Sequence, residues 1–239
     1  MEFLLTSAGV TNTSIHDALV DLLGKPIAEC DALCIPTASY GHPMAGPGRA
    51  WQFISGREPR TPMCELGWKS LGVLELTALP SIDDRTLGAV GPRDRRAAGE
   101  WRRCPVSVPL DAAVRAGRPL AVAATRRVWV GLSAGSMVMT PRIGEDFVQW
   151  KPPTGGDETL GVVDFSIFPH VENPGPADKH HGQLPNGGPA GLSGPAYAID
   201  DQTAIKVVDG TVEVVSEGNG NCSPQPGSSR IGLGDDASA

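Results

Sequence analysis

The chain has 239 residues, a net charge of −7 and a sequence pI near 5.2, a balance that argues against a nucleic-acid-binding surface over most of its area. Its length fits one α/β domain with a substantial core, or at most two small ones. No apolar run approaches the ~20 residues needed to cross a bilayer, so no membrane span is expected.

The N-terminal Met1-Glu2-Phe3-Leu4-Leu5 lacks a basic leader and a long apolar stretch, and reads as a strand over residues 2–7 rather than a signal peptide. Gly9 marks a turn. Thr11, Asn12 and Ser14 offer caps for an amphipathic helix carrying Ile15, Ala18, Leu19, Leu22 and Leu23, which Gly24 and Pro26 end. Residues 32–38 form a continuous apolar strand of the kind buried in parallel sheets. A Gly/Pro-rich loop follows, with helices predicted around Ala50–Ile54 and Met63–Leu71 and a third strand at Val73–Leu76. Alternating strands and helices predict a doubly wound sheet. Near the C-terminus, residues 204–208 and 211–215 flank Asp209-Gly210, the signature of a hairpin closed by a type I′ turn. Residues from Gly218 are Gly/Ser/Pro-rich and read as a disordered tail. Cys30, Cys34, Cys64, Cys104 and Cys222 include no close Cys-x-x-Cys pair and are odd in number, which fits reduced thiols in the cytoplasm.

The most informative stretch is Trp129-Val130-Gly131-Leu132-Ser133-Ala134-Gly135-Ser136-Met137. A hydrophobic strand runs into Gly-x-Ser-x-Gly and on into a helix-compatible segment, the pattern of a nucleophile elbow. Glycines on both sides of Ser133 are expected because a Cβ would clash in the tight turn. The helix is expected to aim N–H groups and its positive end at a developing oxyanion. The plainer alternative is a βα turn holding a buried, hydrogen-bonded serine.

A serine nucleophile needs a base, and the base needs an orienting acid. His170 ends the apolar strand Phe165-Ser166-Ile167-Phe168-Pro169 and is the best base; His16, His42, His180 and His181 are less well placed. Asp146 could fold back towards His170. Glu145 is its immediate rival, and Asp164, Asp200 and Asp201 remain open, the last two better suited to shaping the turn before the hairpin. Arg142 could bind a substrate carboxylate or pair with Glu145 or Asp146.

The elbow, the downstream Pro141-Arg142 and Glu145-Asp146, and Phe168-Pro169-His170 together resemble the peptidase E (dipeptidase E/cyanophycinase) family of serine peptidases. The Gly-Val-Thr-Asn turn and Cys34-Ile35-Pro36-Thr37-Ala38 agree with it, and the resemblance covers residues 1–83, 128–170 and 194–217. It implies a class I glutamine amidotransferase-like fold, a three-layer αβα sandwich with a mostly parallel sheet. It also implies Ser133 as nucleophile, His170 as general base, Asp146 as orienting acid and Ala134 N–H as an oxyanion donor, with Arg142 as partner of an N-terminal aspartate. No metal or cofactor is implied. The substrate is a small peptide, and the protein is expected to act as a monomer or small homo-oligomer. Rival readings are an α/β-hydrolase esterase and a catalytically dead amidotransferase-like binding module. The family's Gly-Gly-Asn/Asp loop, which supplies a second oxyanion donor, is absent from this sequence.

Its expected place falls in residues 85–127, which hold ten of the fifteen arginines and no Lys, Ile, Phe or Tyr. A solvated insertion and a nucleic-acid patch are two explanations; out-of-frame translation fits better. One codon choice for residues 90–104, read one base later, encodes Trp-Val-Arg-Glu-Thr-Asp-Val-Leu-Leu-Val-Ser-Gly-Gly-Asp-Ala, a buried strand followed by a Gly-Gly loop. Residues 219–225 similarly yield Trp-Lys-Leu-Phe-Thr-Pro two bases later, and residues 173–190 have an equally atypical composition. The nucleotide sequence across codons 83–128 is expected to carry the missing strand and loop in another frame. An uninterrupted frame supported by peptides from residues 90–125 overturns this explanation.

Overall fold

In the computed structural model, the described residues are 2–37, 39, 47–58, 60–75, 128–143, 157–171 and 195–218. Strand β1 (Glu2–Thr6) is buried at every position and pairs in parallel with β4 (Val128–Leu132). On its other edge it pairs antiparallel with β7 (Thr203–Val208), which continues into β8 (Thr211–Ser216), giving the order β4-β1-β7-β8. Two further parallel pairs join β2 (Asp31–Cys34) to β3 (Ser70–Val73) and β5 (Ser166–Phe168) to β6 (Ala196–Ala198). The architecture is mixed α/β, consistent with the expected αβα sandwich.

Alternation along β1 divides the core in two. Leu4 faces a cluster with Ile15, Leu19, Leu22, Val128 and Val130, whereas Phe3 and Leu5 face Trp129, Met139, Ile167 and Ile205. Apolar residues on both faces give the unbroken hydrophobic run that parallel central strands require.

Helix α1 (Thr13–Leu23) covers the first cluster with Ile15, Ala18, Leu19 and Leu22. Asn12 caps it by accepting the Ile15 N–H at 2.9 Å, and Gly24 closes it at a φ of 66°. That left-handed conformation is disfavoured for side chains with a Cβ, which explains the glycine. The hairpin turn is also as expected, with positive φ at Asp209 (49°) and Gly210 (81°). A surface contact joins hairpin and helix, since Lys206 Nζ lies 2.8 Å from Asp21 and 3.2 Å from Glu213. These two carboxylates raise the Lys206 pKa, Asp21 most.

Three local expectations need correction. Helix α2 (Pro47–Ile54) forms where one was expected, but Met63–Leu71 forms turns leading into β3. Gly67 has a φ of 83°, the Met63 N–H donates to Glu65 Oε2 at 3.1 Å, and Trp68 Nε1 donates to the Met63 carbonyl at 2.7 Å. These side-chain bonds compete with helical ones. The third strand consequently begins at Ser70, three residues before its expected start. The apolar strand around residues 32–38 ends as β2 at Cys34. Cys30, Cys34 and Cys64 are free thiols; a Cys64 hydrogen bond lowers the Cys34 pKa, while that bond and burial raise that of Cys64. Cys104, Cys222, residues 85–127 and 173–190, and the tail beyond Gly218 lie outside the described residues. Among the described residues, no helix is long and apolar enough to cross a membrane.

The packing of α1 gives a direct stability test. Leu19 is fully buried, whereas Trp51 on α2 is 62% exposed. Leu19→Ala is expected to cost about 2–5 kcal/mol and Trp51→Ala less than about 0.5 kcal/mol. Urea unfolding midpoints at unchanged slope measure both.

Candidate active site

Four strand ends build the site. The parallel pairing of β1 with β4 sets Thr6 opposite Leu132, so the chain leaves both strands side by side at Ser7 and Ser133. The Ser133 N–H donates to the Thr6 carbonyl at 3.0 Å, extending the ladder to the elbow itself. The parallel pairing of β5 with β6 sets Phe168 opposite Ala198, and the chain continues to His170 and Asp201. The Ile199 N–H donates to the Phe168 carbonyl at 2.9 Å and the Val171 N–H to the Ile199 carbonyl at 3.2 Å, holding these two exits together. Ligand sites in open α/β sheets characteristically form at such carboxyl ends.

Ser133 stands at the elbow with φ 48° and ψ −112°, a sparsely populated conformation for a residue with a Cβ. Several contacts hold it there. Ser136 Oγ donates to the Thr6 carbonyl at 2.8 Å, and Trp129 Nε1 donates to the Gly135 carbonyl at 3.0 Å. Thr6 Oγ1 donates to the Gly131 carbonyl at 2.7 Å and accepts the Gly9 N–H at 2.9 Å. The two motif glycines differ. A Cβ on Gly131 would lie 2.7 Å from Ser136 Oγ and 2.8 Å from both the Gly135 oxygen and Ser136 Cα. Among the described residues, a Cβ on Gly135 would meet nothing within 4 Å, so the steric demand they impose falls on Gly131.

The helix after the elbow, α3 (Ala134–Met137), is a single turn. This corrects the expectation of a helix dipole, because the macrodipole needs several aligned peptides. What remains is local. Ala134 is exposed and opens the turn, where an N–H lacks an intrahelical acceptor.

His170 Nε2 lies 3.0 Å from Ser133 Oγ, and His170 Nδ1 lies 2.7 Å from Asp201 Oδ1. Because the Asp201 carboxylate only accepts, Nδ1 carries the proton and Nε2 is left to accept from Ser133. The His170 and Asp201 side chains are each 29% exposed, sheltered yet reachable. The buried Ser7 adds a third partner: its Oγ donates to Asp201 Oδ1 at 2.8 Å and accepts the His170 N–H at 2.8 Å. Thr11 Oγ1 donates to the Asp201 carbonyl at 2.7 Å, and Asn12 Nδ2 donates to the Gln202 carbonyl at 2.8 Å.

The structure thus brings the predicted Ser133 and His170 together and supplies an acid the sequence reading ranked low. Asp146 and Glu145 lie outside the described residues; the carboxylate at Nδ1 is Asp201. Its neighbour Asp200 has the turn-shaping role expected of both, with Oδ1 accepting the Gln202 N–H at 2.9 Å and the Thr203 hydroxyl at 2.6 Å. Arg142 binds a buried carboxylate further along the chain. Its Nε donates to the buried Asp157 at 2.7 Å, joined by a second guanidinium nitrogen on the same oxygen, and this clamps the segment leading to β5. Ser7 was missed because a lone serine after a strand carries no local motif.

Residues 114–215 match Peptidase family S51. A crystal structure at 1.5 Å of a putative peptidase E from Listeria monocytogenes EGD-e aligns with a TM-score of 0.52 and 16% identity, covering 90% of this chain and 98% of that one. No match was found among curated proteins.

The asymmetry between the motif glycines is testable. Gly131→Ala is expected to destabilise by about 1–3 kcal/mol through overpacking, whereas Gly135→Ala changes stability by less than about 1 kcal/mol; denaturant unfolding of both variants checks this. Residues 114–215, the stretch that matches the model of Peptidase family S51, carry Ser133, His170 and Asp201.

Proposed function

We propose that the protein is a serine-type exopeptidase that hydrolyses small peptides through an acyl-enzyme. The observation that carries this reading is the continuous relay from Ser133 Oγ to His170 Nε2 at 3.0 Å and from His170 Nδ1 to Asp201 at 2.7 Å. The match of residues 114–215 to Peptidase family S51 supports peptide hydrolysis as the reaction. A preference for dipeptides beginning with aspartate rests on the resemblance to the peptidase E family.

Ser133 Oγ attacks the peptide carbonyl carbon while its proton passes to His170 Nε2. Asp201 holds the ring in the productive tautomer and stabilises the imidazolium that forms. The Ala134 N–H donates to the oxyanion. The tetrahedral intermediate collapses as the imidazolium protonates the departing amine, leaving an ester on Ser133. Water, deprotonated by His170, then releases the acid product and restores the serine. The positive φ at Ser133 presents Oγ away from its strand, towards His170.

Ser133→Ala is expected to abolish hydrolysis of an aspartyl dipeptide and labelling by a fluorophosphonate probe, and unchanged rates would refute the assignment. Asp201→Asn is expected to lower kcat about 10⁴-fold by disrupting the tautomer, with Asp146→Asn retaining most activity. The reverse ranking would return the acid's role to Asp146. Steady-state kinetics on the three variants decide between them.

A further inference from the structure

We infer that Ser7 is a positioning residue that fixes both members of the acid–base pair, an assignment that rests on the serine-peptidase reading of Ser133, His170 and Asp201. Ser7 directly follows β1 and is fully buried. A hydroxyl has one proton to give and two lone pairs to receive with. Here the proton goes to Asp201 Oδ1 at 2.8 Å, and a lone pair takes the His170 backbone N–H at 2.8 Å. The same oxygen lies 3.3 Å from His170 Nδ1. Ser7 Oγ, Asp201 Oδ1 and His170 Nδ1 therefore close a triangle whose third side is the 2.7 Å acid–base contact.

The first consequence falls on the acid. Thr11 and Asn12 already tether the backbone at Asp201 and Gln202. Ser7 acts on the carboxylate itself, as a second donor on the oxygen that accepts from Nδ1, and so opposes its rotation. The second consequence falls on the base. His170 has a φ of 62°, a left-handed conformation that side chains rarely adopt. Its N–H is turned into the protein and finds Ser7 Oγ there. Without that acceptor, relaxation of the backbone towards negative φ would swing the ring away from Ser133. Ser7 thus acts through His170 and Asp201 and leaves the nucleophile's own contacts alone.

The test compares wild type with Ser7→Ala by kinetics on an aspartyl dipeptide and by proton–nitrogen NMR of the His170 ring. The expected result is a kcat about 10–100-fold lower, with KM changed less than about twofold, because the lost bonds align the catalytic groups and do not hold substrate. The Nδ1–H resonance, sheltered by Asp201 in wild type, is expected to broaden as the ring samples other orientations. Ser7→Cys, with a similar shape but a weak donor and acceptor, is expected to show the same losses and replaces Ser7→Ala if the latter does not fold. Wild-type kcat with an unchanged Nδ1–H resonance in a folded variant overturns the proposal. If wild type and Ser133→Ala prove equally inactive, the peptidase reading fails while the NMR comparison still decides the role of Ser7: broadening supports it and an unchanged resonance rejects it.

Discussion

The site depends on where β1 stops. Its parallel register with β4 ends in the bond from the Ser133 N–H to the Thr6 carbonyl. That carbonyl also receives Ser136 Oγ, while the Thr6 side chain ties Gly131 to Gly9. One residue further on, Ser7 reaches across to His170 and Asp201. Two adjacent residues therefore connect the elbow with the acid–base pair. The strain at Ser133 and His170, of order 1–3 kcal/mol at each residue, is sustained because these buried bonds over-determine both positions.

The same arrangement explains why the elbow functions in geometry without a long helix behind it. With only one helical turn following Ser133, orientation comes from hydrogen bonds to β1 and from Trp129 packing beneath the turn. The steric demand is concentrated at Gly131, which faces Ser136 across the turn, and not at Gly135. Among the described residues, the outer side of the elbow is open next to the exposed Ala134.

Features with a local physical cause were legible in the sequence. Helix α1 announced its cap at Asn12 and its end at Gly24, the hairpin announced itself by Asp209-Gly210, and the elbow by two glycines around Ser133. His170 was legible because an apolar strand ran up to it. Asp201 was not, because its place depends on the pairing of the three-residue β6 with β5, which no local pattern discloses. Neighbouring Asp200 gave the dipeptide a sufficient turn-forming explanation, and only the pairing of β6 with β5 separates the two aspartates by role. The helix expected over Met63–Leu71 failed for a related reason: apolar spacing suited a helix, but Gly67 and the Met63–Glu65 and Met63–Trp68 hydrogen bonds fold the segment into turns.

Ser7 and Asp201 are 194 residues apart in the chain yet share a hydrogen bond. Such a contact cannot form before residue 201 has been synthesised, and closing it carries the entropy cost of a long loop. A nascent chain that has already made β1 and the Ser133 turn still lacks its acid. On the serine-peptidase reading, the relay to Ser133 is complete only once the segment carrying Asp201 has docked beside β1 and β5.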